Sequence, residues 1–413
     1  MKILVLAPSM AGRGGIQRYT ANLVRGLVDL LGRENVRSLA VSDTSGRGAH
    51  DRFSVRVKVR FVGRVLWQAA SWNPDWIICT HIAVGPIGRV AARTVGARYM
   101  IVVHGIEAWG SLSRLKEFSL SRADGVIVTS DFSEKQLVKT HQIDPQRIQK
   151  LPCMWDDTLL SIDPETDGML RRIPEGRRVV LTVARMDASE RYKGHDVVLQ
   201  ALPSVIAKVP DLIYVMAGDG DDRPRLEKLS TELELKKHVL FLGEISDAEL
   251  AALYRRSEVF VLPARTVLHE RKLKGEGFGI VFLEAMAFGK PVIGPSYGAP
   301  QEIIRDGIDG LQAKAEDPTA VANALSHLLA APEKARQMGD AGSRRVREQY
   351  SYGSFRTFLS RILTGTIESG PRSRLDQVWE WLLAIWIVAV NVMYYIQFHT
   401  LLGARFNRYH LWR

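Results

Sequence analysis

Residues 3–30 read ILVLAPSMAGRGGIQRYTANLVRGLVDL and contain the three parts of one α/β unit. Ile3–Ala7 is a short apolar run, typical of a buried strand, and a proline and a group of glycines follow it. Beyond the glycines, apolar residues recur on one face of a helix, at Ile16, Tyr19, Leu23, Leu27 and Leu30. A strand, a Gly-rich turn and a helix in this order form the opening unit of a parallel α/β sheet.

Similar units follow along the first half of the chain. Buried-strand runs occur at Trp76–Cys79, Tyr99–Val103 and Gly125–Thr129, and each precedes a loop and a helical pattern. This alternation predicts a doubly wound sheet. Residues 156–178 interrupt it with acidic residues, two prolines and two glycines, and we interpret them as a linker.

The alternation restarts after residue 178. We predict strands at Val179–Ala184, Leu212–Ala217, Val239–Leu242 and Val259–Leu262, and helices at Asp196–Lys208, Arg223–Leu233, Ser246–Arg256 and between Gly279 and Gly289. Ser246 followed by Glu249 indicates a capping box at the start of its helix. The sequence therefore predicts an α/β protein with two Rossmann-like domains, each with its own sheet.

The composition excludes several classes of protein. Of 413 residues, 46% are hydrophobic and 24% are charged, which excludes a disordered chain. Two cysteines exclude a disulfide framework and a cysteine-rich zinc site, and they fit a reducing compartment. The N-terminus has no signal-peptide cleavage pattern, so we expect a cytoplasmic protein.

The positive charge is concentrated in the first half and at the C-terminus. Residues 1–180 contain 26 Lys and Arg against 17 Asp and Glu, whereas residues 181–370 contain 25 against 26. A basic half suggests an anionic partner, either nucleic acid or a membrane surface, and the alternative is a solvated surface with no partner.

The C-terminal tail contains a long uncharged segment. Residues 381–404 include no Asp, Glu, Lys or Arg, which is long enough to cross a bilayer. Arginines lie on both sides of the segment, and this disfavours a simple crossing. We expect a helix that lies in the membrane interface or re-enters on the same side, and the alternative is a buried oligomerisation helix.

The strongest chemical signal is GEGFGIVFLEAMAFGKP, residues 275–291. Glycines at 277 and 279 allow a ligand to approach the backbone, and the amides of Gly279, Ile280 and Val281 form an anion site at a helix N-terminus. Glu276 and Glu284 lie on either side of this site, which suits a sugar diphosphate with hydroxyl groups at both ends. The alternative is two surface glutamates at a helix start.

Three further positions follow predicted strands. Arg185 and Lys193 lie in the loop after Ala184, and both suit phosphate oxygens. His104 follows the strand that ends at Val103, and it could hold a sugar hydroxyl, pass a proton or be a structural histidine. His81 is a similar, weaker candidate.

Other motifs are absent or have simpler explanations. The loop GRGGIQRYT, residues 12–20, lacks the Lys of a P-loop and does not match G-x-G-x-x-G. Asp219-Gly-Asp221 looks like the D-x-D of metal-dependent sugar transferases, but we interpret it as a turn. The sequence has no zinc-ligand spacing, nucleophile elbow or kinase signature, so we expect no metal site.

Over residues 1–365, the sequence resembles the family 4 glycosyltransferases, which are retaining enzymes of the GT-B fold. The resemblance rests on GGIQRYTANLVRGL, HGIEAW, ADGVIVTSDFSEKQL, VARMDASERYKGHD, VMAGDGD, VLFLGEISDAELAALYRRSEVFVLPA and GEGFGIVFLEAMAFGKPVIG. It implies an acceptor domain at 1–165 and a donor domain at 177–350 that face each other across a cleft. A helix at 351–370 then crosses back to the first domain, and the hydrophobic basic tail at 371–413 lies outside the resemblance.

The resemblance also implies roles for individual residues. Glu284 binds the donor ribose, Glu276 and the amides after it hold the sugar and phosphates, and Arg185 and Lys193 neutralise the diphosphate. The catalytic set is thus His104, Glu276, Arg185 and Lys193, and the donor-binding set is Gly14, Gly15, Gly218, Glu244, Ile245, Gly277, Phe278, Gly279, Ile280 and Glu284. The sequence departs from the family in two ways. Seven residues rather than four separate Arg185 from Lys193, and RTVLHERKLK, residues 265–274, lengthens a loop that we expect to form a basic lid.

The expected function is retaining transfer of a mannose- or glucose-type hexose. The donor is a GDP- or UDP-linked sugar, and the acceptor is a polysaccharide, a glycolipid or a lipid-linked molecule. We expect the reaction to need no metal or cofactor, and no nucleic acid. We place it at the inner face of the plasma membrane, with the protein peripheral or tail-anchored there. A nucleotide-sugar epimerase and a non-catalytic assembly subunit remain alternatives, and the sequence leaves the oligomeric state open.

Overall fold

The computed structural model describes residues 1–12, 14–42, 55–155, 157–162, 168, 170–269 and 272–368. These residues form two six-stranded parallel sheets with helices around them, which confirms the predicted α/β architecture. The tail at 371–413, with its uncharged segment, lies outside the described residues. Among the residues that the structure describes, no helix combines the length and hydrophobicity that a membrane crossing requires.

The N-terminal sheet has the strand order β2-β1-β3-β4-β5-β6, and every neighbouring pair is parallel. Its strands are β1 (Ile3–Ser9), β2 (Val36–Ser42), β3 (Trp76–Cys79), β4 (Arg98–Val103), β5 (Gly125–Val128) and β6 (Ile148–Lys150). Its helices are α1 (Gly15–Leu31), α2 (Val55–Trp72), α3 (Gly85–Val95), α4 (Arg114–Ser121) and α5 (Asp131–His141). Strands β3 and β5 are buried along their whole length, which explains their uninterrupted apolar sequence.

The C-terminal sheet has the order β14-β13-β10-β7-β8-β9, again all parallel. Its strands are β7 (Arg178–Val183), β8 (Leu212–Ala217), β9 (Val239–Gly243), β10 (Val259–Val261), β13 (Val292–Pro295) and β14 (Gly310–Ala313). Between β10 and β13, β11 (Val267–His269) and β12 (Lys272–Lys274) form a separate antiparallel pair. The helices after the first sheet are α6 (Thr158–Ser161), α7 (His195–Ile206), α8 (Arg223–Glu232), α9 (Asp247–Arg256), α10 (Ile280–Ala287), α11 (Pro318–Ala330) and α12 (Pro332–Gln349). Ser246 and Glu249 form the predicted capping box of α9.

The segment that we interpreted as a linker is partly folded. It contains α6 and a short 3₁₀ helix at Leu170–Arg172. Leu159 and Ile173 are buried in the core of the C-terminal sheet, together with Trp155. The described parts of this segment are therefore folded against the second domain and do not form a plain linker. The apolar residues scattered among the acids attach this segment to the second domain.

The last described helix, α13 (Tyr352–Glu368), packs against α1 of the N-terminal domain. Leu359 is buried against Gly26, where a side chain would collide, because a Cβ at Gly26 would lie 2.9 Å from the Leu359 methyl group. The rings of Phe355 and Tyr19 meet edge to face with centroids 6.0 Å apart. The chain thus returns from the second domain to the first.

Candidate active site

The two domains meet at a pair of glycines in the cleft. A Cβ at Gly277 would lie 2.4 Å from the carbonyl oxygen of His104, and a Cβ at Gly105 would lie 2.8 Å from the Cα of Gly277. Any side chain at either position would push the backbones apart. This contact brings His104 and Gly277, two of the predicted site residues, next to each other across the cleft.

Helix α10 presents its N-terminus beside this contact. Gly279 caps the helix in a left-handed conformation, with φ of 99°, which favours glycine. None of the described side chains caps the helix, so the first amides, including that of Ile280, suit an anion. The ring of Phe278, between the two glycines, is buried in the core of the second domain, with its centroid 6.2 Å from that of Tyr350.

Glu276 and Lys193 form an ion pair at this helix start. Their side chains are 17% and 15% exposed, so the pair is largely shielded from water. Burial and then the charge of Glu276 raise the pKa values of the Tyr192 phenol and the Cys153 thiol. Both groups therefore stay protonated beside the pair at neutral pH.

Glu284 lies inside α10, and its side chain is almost fully buried. Arg18 of α1 reaches it from the other domain, with Nη1 2.6 Å from Oε1. The hydroxyl of Tyr254 donates to Oε2 at 2.9 Å, and burial together with Glu284 raises the pKa of that phenol. We did not predict Arg18 or Tyr254 from the sequence, although Arg18 lies within the GGIQRYT stretch.

A cavity of about 520 Å³ lies beyond the C-terminal ends of strands β7, β8 and β9. Three predicted site residues line it, Arg185, Gly218 and Glu244. The side chain of Arg185 is 69% exposed and forms ion pairs with Glu190 and Asp187. Ile245 is partly buried against the core of the second domain.

His104 lies at the end of β4, and its Nε2 is 2.8 Å from the carbonyl oxygen of Thr80. Burial lowers the pKa of His104, although Glu107 opposes this shift. The ring is therefore neutral at pH 7, and because a carbonyl only accepts, the proton is on Nε2. Nδ1 consequently carries the lone pair and can accept a hydrogen bond from a sugar hydroxyl. His81 stacks 6.3 Å away, and burial also lowers its pKa.

Gly14 and Gly15 form the start of α1, and both are exposed. A Cβ at Gly15 would meet no other atom of the described residues within 4 Å, and one at Gly14 would meet only the Gln17 side chain. The first turn of α1 contains no acidic residue. The structure therefore leaves this helix N-terminus accessible.

The Asp219-Gly-Asp221 sequence forms a turn, as predicted. Asp219 accepts from the amide of Gly220 at 2.9 Å, and Asp221 accepts from the amide of Ala188 at 2.6 Å. Within the described ranges, no group of three or more His, Cys, Asp or Glu residues is arranged to hold a metal ion.

Two family models match the chain and together span most of both domains. Residues 13–158 match the model described as Glycosyltransferase Family 4, and residues 170–345 match Glycosyl transferases group 1. A GDP-mannose-dependent alpha-(1-6)-phosphatidylinositol monomannoside mannosyltransferase of Mycobacterium tuberculosis is 30% identical over 373 residues. The alignment covers 86% of this chain and 95% of that protein. The chain is a family 4 glycosyltransferase.

Other relatives and solved structures agree with this assignment. The Mycolicibacterium smegmatis protein of the same name is 31% identical, covering 69% of this chain and 74% of that protein. Sucrose-phosphate synthase from Thermosynechococcus elongatus superposes with a TM-score of 0.72 at 22% identity, over 90% of this glycosyltransferase and 100% of that chain. HepE of Anabaena in complex with UDP gives 0.71 at 18% identity, over 88% and 100%. These structures support the fold.

Proposed function

We propose that this family 4 glycosyltransferase moves a mannose-type hexose from GDP-mannose to a lipid-linked or phospholipid acceptor, with retention at the anomeric carbon. The observation that carries the proposal is the cleft that holds Lys193, Glu276, Glu284 and the uncapped start of α10 together. The donor and acceptor classes follow the names of the relatives, which use GDP-mannose and a phosphatidylinositol monomannoside.

The charges around α10 support transfer from a nucleoside diphosphate sugar. The bond from the anomeric carbon to the phosphate oxygen breaks, and the nucleoside diphosphate leaves with the electron pair. Lys193, Arg185 and the helix N-terminus would stabilise the negative charge that develops on it, which makes a metal unnecessary in this proposal. The acceptor oxygen bonds to the same face of the sugar, and its proton passes to the leaving phosphate.

His104 and Glu276 would hold the transferred sugar from opposite sides of the cleft. Nδ1 of His104 accepts a hydrogen bond from a sugar hydroxyl, because Nε2 already donates to the carbonyl oxygen of Thr80. Glu276 accepts hydrogen bonds from other hydroxyls of the sugar once the diphosphate replaces Glu276 as the ionic partner of Lys193. In this proposal Glu276 is therefore separated from Lys193 only when the donor phosphates bind.

Helix α2 supports a location on an anionic membrane surface at the cytoplasmic face. Residues 55–72 contain Arg56, Lys58, Arg60 and Arg64 and no acidic residue. Val59 and Trp67 are 64% and 69% exposed on the same helix, while Phe61, Val65 and Ala69 face the core. Exposed basic and apolar side chains together are what an interfacial helix uses to bind anionic lipid. The tail at 381–404 would add a second contact, since two signals hold a protein at a membrane better than one.

The test is transfer by the purified full chain, supplied with radiolabelled GDP-mannose or UDP-glucose and with vesicles that contain phosphatidylinositol. We expect label in the lipid phase with GDP-mannose, an unchanged rate in EDTA, and an α-linked product by NMR. Release of free or isomerised sugar without an acceptor would indicate an epimerase instead. Nucleotide binding without transfer to any lipid or glycan acceptor would indicate an assembly subunit.

A further inference from the structure

The buried carboxylate of Glu284 is bound by side chains from both domains. Only 2% of its side chain is exposed, and a carboxylate at that depth is costly unless it is paired. Arg18 and Tyr254 supply the pairing, each on a different oxygen. A carboxylate can accept about four hydrogen bonds, so Glu284 can hold groups of both domains at the same time.

The cation that pairs with Glu284 belongs to the acceptor domain. Arg18 lies in the first turn of α1, directly after the Gly-rich loop, and only 22% of its side chain is exposed. Its Nη2 atom is also 3.6 Å from the carboxylate of Asp247, at the start of α9. One arginine from the first domain is therefore held between two acids of the second.

Other contacts also join the domains, and they do not involve Glu284. The backbones of Gly105 and Gly277 touch, and Glu302 accepts hydrogen bonds from the amides of Asp131 and Phe132. The pairing of Arg18 with Glu284 is thus not the sole link between the domains. What distinguishes this pairing from the other contacts is that it acts on Glu284, the carboxylate beside the anion site of α10.

We infer that Arg18 is a positioning residue for the donor, which neutralises and orients Glu284 from across the cleft so that this carboxylate can bind the ribose hydroxyls. The inference rests on the proposed donor site. It means that the acceptor domain completes the nucleotide site, so donor affinity depends on the contact between the domains.

The experiment compares nucleotide affinities by calorimetry in the full chain. The ligands are the nucleoside diphosphate that the wild type binds, GDP or UDP, and its 2′,3′-dideoxy analogue, which lacks both ribose hydroxyls. We expect Arg18→Gln to weaken the nucleoside diphosphate about tenfold, equivalent to about 1.4 kcal/mol, and to change the affinity for the analogue little. Arg18→Lys should restore part of the affinity, and Arg18→Gln should have no further effect in a Glu284→Gln background.

Arg25→Gln is the matched control, because Arg25 lies on the same helix but stacks on Tyr352, 4.0 Å from the ring centroid. It should leave both affinities unchanged, and thermal unfolding without nucleotide checks that each variant is folded. Equal losses of affinity for the nucleotide and its dideoxy analogue, or no loss in Arg18→Gln, would overturn the inference alone. A folded wild type that binds neither GDP nor UDP would overturn the proposed function as well.

Discussion

Lys193 and Glu276 form a partly buried ion pair at the start of α10, with 15% and 17% of the two side chains exposed. Each is the main charged partner of the other at the place where we propose that the donor diphosphate binds. A phosphate that enters this site competes with Glu276 for the Lys193 ammonium group. The pair therefore keeps both charges compensated before the donor arrives.

The first prediction concerns this pair. Lys193→Ala and Glu276→Ala should each lower kcat/KM for the nucleotide sugar by about 100-fold or more, because each removes a group that we propose contacts the reacting sugar or phosphates. Steady-state transfer assays measure the loss, and circular dichroism checks the fold. Lys228→Ala is the control, since Lys228 lies on the surface of α8 with 79% of its side chain exposed. Activity near the wild-type level in both variants would contradict the site assignment.

The second prediction concerns the glycine contact between the domains. Gly277→Ala adds a methyl group 2.4 Å from the carbonyl oxygen of His104, so the two backbones must move apart at this contact, and we expect the domains to separate with them. We expect a loss of transfer activity of at least about tenfold, because separation moves His104 away from the donor side. Small-angle scattering should give a larger radius of gyration for this variant.

Gly63→Ala in α2 is the matched control for that substitution. A Cβ at Gly63 meets no atom of the described residues within 4 Å, and alanine favours the helix by roughly 0.5–1 kcal/mol. We expect unchanged scattering and activity with slightly higher thermal stability. A Gly277→Ala protein with the wild-type radius and rate would show that the contact is not required.

Much of the fold could be predicted from the sequence, because buried strands have a clear signal. Trp76–Cys79 and Leu212–Ala217 were placed with their observed bounds, since parallel strands covered on both faces are continuous apolar runs. The edge strands β2 and β6 were missed. Only two of the seven positions of β2 are buried and their spacing is not a strict alternation, and β6 has only three residues, so neither differs clearly from a loop.

The candidate site was only partly accessible from the sequence. Motif residues such as Glu276 and Glu284 could be identified because a glycine turn and a helix start have a local pattern. Their partners could not be found in this way. Arg18 is 266 positions from Glu284, and such a contact depends on how two separate sheets pack. The insertion at 265–274 could be detected, but not its hairpin of β11 (Val267–His269) and β12 (Lys272–Lys274), which reaches Gly110.

The third prediction concerns Glu302, which accepts from the amides of Asp131 and Phe132 at 2.8 and 2.6 Å. Burial raises the pKa of Glu302 above its usual value, although these amides oppose the shift. The folded protein thus binds this proton more tightly than the unfolded chain does. The resulting stabilisation is fully present below the unfolded pKa of about 4.5 and is lost as the pH rises through the folded pKa.

Glu302→Gln removes the buried charge, but its single amide oxygen can accept from only one of the two amides, which donate to different oxygens of the carboxylate. Because only the wild type loses stability as the pH rises through the pKa of Glu302, we expect the melting temperature of the variant, relative to the wild type, to be higher at pH 7.5 than near pH 4, where Glu302 is protonated. Calorimetric scans at the two pH values measure this. Glu333→Gln, which changes a carboxylate on the surface of α12, should not raise the melting temperature at pH 7.5. A melting temperature of the variant, relative to the wild type, that is the same at both pH values or higher near pH 4 would contradict the raised pKa of Glu302.

The last prediction concerns helix α2 and lipid. Arg60→Glu combined with Trp67→Ser reverses one charge and removes the indole of Trp67, a residue that is 69% exposed. We expect binding of the full chain to vesicles of phosphatidylcholine and phosphatidylglycerol to fall at least about threefold, because each basic residue near an anionic surface contributes roughly 1 kcal/mol. Co-sedimentation at low and physiological salt measures the change, and salt should weaken the wild type more than the variant. Ile308→Ser removes an apolar side chain that is 54% exposed in the second domain, and it should bind like the wild type. Equal binding of the α2 variant and the wild type would assign membrane contact to another part of the chain.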